Sequence, residues 1–87
     1  MKSYLLKISS PEGDLFCGKA VNLRVRGTEG ELAVMAGHAP IVTTVKPCRC
    51  RITLEDESTL EADTDGGLLT VSSNSATLLT GSFRRSE

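Results

Sequence analysis

Aromatic side chains are nearly absent from this sequence: among 87 residues there is no Trp, one Tyr and two Phe. The core must therefore be assembled from Leu, Val, Ile and Ala, which suits a thin layered packing better than a deep ligand pocket. The same scarcity removes the stacking platforms that single-stranded nucleic acid needs. A formal net charge of −1 gives no call for nucleic acid or an anionic membrane. No apolar run approaches the roughly 18 residues that span a bilayer. The apolar stretch of the N-terminal segment Met1–Lys7 is too short for a secretory signal. The expectation is a cytosolic chain that reaches any membrane only through protein contacts. At this length there is room for one domain.

Catalytic constellations are missing too. His38 is the single histidine, and acid–base or metal chemistry usually needs partners beside it. Gly66-Gly67 lacks the Lys-Ser/Thr that a phosphate loop requires. The three cysteines form an odd set, unlike a secreted disulfide framework. Cys48 and Cys50 fall on one face of a strand without the Cys-x-x-Cys spacing of zinc or redox sites. They read as free thiols acting as small core hydrophobes, and Cys17 reads the same way.

Helical periodicity is also lacking. Period-2 alternation recurs instead, the mark of half-buried strands. Tyr4, Leu6 and Ile8 share one face. Pro11-Glu12-Gly13 is a turn, followed by a short strand at Leu15–Cys17. Val21, Leu23 and Val25 alternate with Asn22, Arg24 and Arg26. After the polar loop Gly27–Glu31, strand returns at Leu32–Met35, breaks at 36–40, and resumes at Ile41–Val45. Cys48, Cys50, Ile52 and Leu54 alternate up to a hairpin tip at Asp56-Glu57-Ser58. Further strands are read at 59–63, 68–71 and 76–80. Short strands at this spacing predict an all-β sandwich or barrel. Arg24, Arg26, Arg49 and Arg51 line up on one outer face, where pairing with acids of neighbouring strands is the simplest expectation.

The stretch Gly27-Thr28-Glu29-Gly30-Glu31-Leu32, then Gly37-His38-Ala39-Pro40, Thr43 and Lys46-Pro47, resembles the signature of ATP synthase epsilon subunits. Pro11-Glu12-Gly13, Phe16, Gly18, and Gly66-Gly67 followed by Leu69 and Val71 extend the likeness over nearly the whole chain. Ala33, Ala36, Cys48 and Asp65 depart from the residues usual at their positions. The resemblance implies a flattened β-sandwich of about ten short strands over residues 1–82. It implies that 83–87 is a tail where the family's C-terminal helical hairpin would begin, so no such hairpin is expected, nor its inhibitory or ATP-binding roles. It further implies a non-catalytic rotor subunit of the central stalk, peripheral at the cytoplasmic face of the cell membrane. Such a subunit links the gamma subunit to the ring of c subunits and couples ion transport to ATP synthesis. No catalytic residue, cofactor or metal is expected, and the isolated chain is expected to be capable of forming a homodimer.

Residue by residue, the resemblance assigns Gly27, Thr28, Glu29, Gly30 and Glu31 to the c ring, and Ser10, His38, Ala39, Pro40, Ile41, Val42 and Thr43 to gamma. The side chains suit these roles. Glycines at 27 and 30 permit positive φ and close approach, and Glu29 and Glu31 offer two acceptor-only carboxylates on one side of the loop. Ile41 and Val42 face opposite ways, so one enters the core while the other meets a partner. From the residues alone, a solvated hairpin with ordinary surface acids is the preferred reading of Gly27–Glu31, and the resemblance reverses it; the alternative function is a small β-domain that binds protein or nucleic acid outside any ATP synthase.

Overall fold

A computed structural model describes residues 2–85. Nine strands occur in it: β1 Tyr4–Ser10, β2 Gly13–Gly27, β3 Gly30–Met35, β4 Ile41–Val45, β5 Cys48–Leu54, β6 Thr59–Thr64, β7 Gly67–Val71, β8 Ser75–Thr80 and β9 Phe83–Arg85. The chain is all-β, as its alternating pattern predicts. The body measures 29 × 28 × 24 Å.

The organising element is β2. The sequence divides it into two strands, because Gly18 and Lys19 are poor strand formers. Instead it runs unbroken for 15 residues. Its first half pairs antiparallel with β1 (Tyr4↔Ala20 to Ser10↔Gly13), and its second half pairs with β3 and β5. The two halves thus belong to two layers. A register shift between Ala20 and Asn22 marks the changeover, and it lets consecutive Ala20 and Val21 both be buried. One layer continues β1-β8-β7-β4, with β1 and β8 parallel. The other is β3-β2-β5-β6-β9. A single bridge, Gly27↔Val45, joins β2 to β4 and brings the layers together at that corner.

Between the layers lie Leu6 and Ile8 of β1, Leu69 of β7 and Leu78 of β8, facing Leu23 of β2, Cys50 and Ile52 of β5, all fully buried. Truncating one of the large members to Ala costs about 2–5 kcal/mol. Tyr4 crosses the core and donates from its hydroxyl to the Val34 carbonyl at 2.8 Å. Burial raises its phenol pKa, so this donor stays protonated.

One expectation is corrected. Cys17 is exposed, because odd-numbered residues of the first half of β2 face outward, while Phe16 packs against the core. In the segment expected to be a tail, Phe83–Arg85 pairs with Ala62–Thr64 of β6, and Phe83 packs against the core. Ser86 and Glu87, the rest of the expected tail, lie outside the described residues.

Candidate interaction surfaces

The Gly27–Glu31 segment is the β2–β3 hairpin. Gly27 and Gly30 are cross-strand partners, and Thr28-Glu29 is the turn between them. The two glycines serve different ends. Gly30 has φ 125°, a conformation that L side chains rarely adopt. Gly27 is buried and not at positive φ; the site of a Cβ there lies 3.5 Å from the Gly30 carbonyl oxygen. Thr28, Glu29, Gly30 and Glu31 are exposed. The two carboxylates are not equivalent. Glu31 Oε1 stands 3.7 Å from Arg24 Nη1, whereas Glu29 has no ion-pair partner among the described residues.

After β3 the chain reverses through Ala36-Gly37, where Gly37 has φ 85° and His38 N–H bonds the Met35 carbonyl at 3.1 Å. His38 Nδ1 lies 2.7 Å from the Ala39 carbonyl oxygen. A carbonyl only accepts, so Nδ1 carries the proton and a neutral ring leaves Nε2 as an acceptor. Ala39 and Pro40 are exposed. In β4, Ile41 is half-buried against the core, Val42 is 66% exposed and Thr43 is half-buried, the expected alternation.

These residues group differently from the sequence expectation. Ile41, Val42 and Thr43 share an open concavity of ≈ 510 Å³ with the hairpin Gly27–Glu31. Ser10 lies elsewhere, in an apolar groove of ≈ 450 Å³ with Pro11, Gly66, Gly67, Leu79 and Gly81. Its hydroxyl accepts from Glu12 N–H at 3.1 Å and donates to the Gly13 carbonyl, which fixes the β1–β2 turn.

Sequence reading missed the side chains that join these places. Leu68 and Leu79 are direct cross-strand partners on the outer face of β7 and β8, 41% and 51% exposed. Val42, opposite Thr70, is the diagonal neighbour of Leu68 on the same face. The signal was present in Leu68-Leu69, Leu78-Leu79 and Ile41-Val42. Consecutive strand residues point to opposite faces, so one leucine of each such pair must face out. Together these side chains form an apolar strip between Ser10 and the hairpin.

The outer face of the other layer is polar. Arg51 donates to Glu61 Oε2 through Nε (3.0 Å) and Nη2 (2.8 Å). Arg49 reaches Glu61 at 3.2 Å and Asp63 at 3.6 Å. The hydrogen bond from Arg51, then the Arg51 and Arg49 charges, hold the Glu61 carboxyl below its ordinary range. Among the described residues no group of three or more His, Cys, Asp or Glu is placed to hold a metal ion.

The fold has close likenesses among solved structures. A chain of the Euglena gracilis mitochondrial ATP synthase, in a structure of OSCP, F1 and the c-ring, superposes with a TM-score of 0.89 at 19% identity. The match covers 95% of this chain and 53% of that one. A chain of the Tetrahymena thermophila mitochondrial ATP synthase central stalk and c-ring gives 0.74 at 13% identity, covering 94% of this chain and 66% of that one. This chain thus spans about half the length of the first and two thirds of the second. The model of the ATP synthase delta/epsilon chain β-sandwich domain matches residues 3–86. With sequence match and layered fold in agreement over nearly every residue, the chain belongs to the ATP synthase delta/epsilon β-sandwich family.

Proposed function

We propose that the chain is a non-catalytic rotor subunit of the central stalk, holding the gamma subunit on one face and the c ring at its hairpin end. It serves ATP synthesis by coupling ion transport to rotation, and sits peripherally at the cytoplasmic face of the membrane. The observation that carries this reading is the exposed strip of Val42, Leu68 and Leu79, running between Ser10 and the Thr28-Glu29 turn. An outward row of aliphatic side chains on a regular sheet offers a rigid apolar face, which is what a torque-bearing contact needs. It adjoins the gamma positions Ser10 and His38–Thr43. The exposed Glu29 and Glu31 carboxylates supply the polar rim for a ring loop of opposite charge.

The test is co-expression with the gamma subunit of the same organism, followed by size exclusion. Wild type is expected to co-elute with gamma. Val42→Lys with Leu79→Lys is expected to remain folded, since both side chains already face outward, and to elute alone. Co-elution that survives both substitutions would place the gamma contact elsewhere. A concentration-dependent dimer of the isolated chain that the same substitutions abolish would show the strip pairing with itself when gamma is absent.

A further inference from the structure

The outer face of β2 and β5 gathers arginines that the proposed gamma and c-ring contacts do not use. Arg24 and Arg51 are direct cross-strand partners, and like charges set opposite each other weaken a sheet. The acids that could relieve them stand outside the pair. Glu31 on β3 meets Arg24 at 3.7 Å; on β6, Glu61 takes both Arg51 and Arg49, and Asp63 meets Arg49 at 3.6 Å. Arg26 stands directly opposite Glu31 on β3, but among the described residues no carboxylate comes within ion-pair distance of its guanidinium. All four arginines line one open groove of ≈ 540 Å³, against two glutamates, Glu31 and Glu61. Positive charge is thus gathered in one concavity of a chain whose net charge is −1.

We propose that this groove binds a phosphate group, with Arg26 as its primary contact and Arg24 and Arg49 beside it. A phosphate group is anionic at neutral pH, singly charged as a lipid phosphodiester and more so as free phosphate, and its acceptor oxygens match guanidinium groups in paired, parallel hydrogen bonds. It would lie among these arginines and relieve the repulsion of the one facing pair, Arg24 and Arg51. A nucleic-acid strand fits poorly, because no aromatic side chain lines the groove to stack a base. The phosphate group is either free in solution or part of a lipid headgroup.

Amide spectra of the 15N-labelled chain, titrated with inorganic phosphate at an ionic strength held constant with chloride, test the first source. Co-sedimentation with phosphatidylcholine vesicles, with and without phosphatidylglycerol, tests the second. Saturable shifts confined to residues 24–26 and 48–51 identify free phosphate. Binding only to vesicles that contain phosphatidylglycerol identifies a headgroup. In either case Arg26→Gln is expected to weaken binding by about tenfold, the size of one lost charge-assisted contact, with the rest of its spectrum unchanged. Lys46→Gln, an exposed cation outside the groove, is expected to bind as wild type does. The proposal is overturned if neither probe binds, if Arg26→Gln binds like wild type, or if Lys46→Gln loses as much as Arg26→Gln.

Discussion

The hydroxyls of Thr64 and Thr80 meet at 2.7 Å inside the core, one on β6 and the other on β8. Thr80 also donates to the Gly66 carbonyl at 2.6 Å, and Gly66 N–H donates to Thr64 Oγ1 at 3.1 Å. The three groups form a closed circuit: Thr64 donates to Thr80, Thr80 to Gly66, and Gly66 back to Thr64. A valine at either position keeps the shape but strands a buried donor or acceptor. Thr80→Val is expected to lower stability by about 1–3 kcal/mol in urea unfolding. Adding Thr64→Val should cost less than its effect alone, because the circuit is already broken.

Gly66 tolerates no side chain. It has φ 90°, and a Cβ there would be driven into the Val45 carbonyl oxygen, which is backbone and cannot rotate away. Gly66→Ala is expected to cost about 2–5 kcal/mol from conformational strain and overpacking together. Gly81→Ala is the contrasting control, since its Cβ would meet open space at ordinary φ. A thermal scan of the two variants distinguishes them.

Acid should loosen the Arg49–Glu61–Arg51 cluster. Glu61 has a depressed carboxyl pKa in the folded chain, so the pairing contributes stability above the ordinary glutamate value of 4.5 and loses it as pH falls through the folded value. Urea midpoints of wild type and Glu61→Gln are expected to differ at pH 7 and to converge as the pH is taken well below 4.5. A constant difference across that range would dissociate the cluster from the acid response.

The three thiols should react in a fixed order. Cys17 is exposed, Cys48 is half-buried with its Sγ 3.4 Å from Arg26 N, and Cys50 is fully buried. Burial, with the neighbouring Cys48 adding to it, pushes the Cys50 thiol up to about 11, and the thiolate is the reactive form. A maleimide at pH 7.5 is expected to label Cys17 first, Cys48 slowly, and Cys50 only after denaturant is added. Mass spectrometry of the peptides reads the order.

Alternation was enough to find the core faces of β1 and the second half of β2, because Tyr4, Leu6 and Ile8, then Val21, Leu23 and Val25, alternate with polar residues. It also placed the hairpin tip at Asp56-Glu57-Ser58, where Glu57 takes φ 70°. Long-range pairing was not legible. The parallel β1–β8 contact joins Leu6 to Ala76, and nothing local in either segment names the other. The continuity of β2 through Gly18 is likewise imposed from outside, by Leu6 lying opposite it on β1. Of the candidate surfaces, the family signature marked the hairpin and the β4 segment. The exposed Leu68 and Leu79 escaped because periodicity alone does not say which of two adjacent leucines is the inward one.

A pull on the Thr28-Glu29 turn along the direction of β2 cannot open the molecule one bond at a time. The strand behind that turn lies between β3 and β5 in one layer and then passes into the other layer beside β1. Displacing it would slide its ladders to β5 and β1 lengthwise, so that many hydrogen bonds bear the load at once, as in a lap joint rather than a zip. A 15-residue strand shared by both layers makes the hairpin the end of a tie rod through the body. Strain applied at the tip is carried along one strand, through the register shift at Ala20–Asn22, to the edge of the opposite layer beside β1.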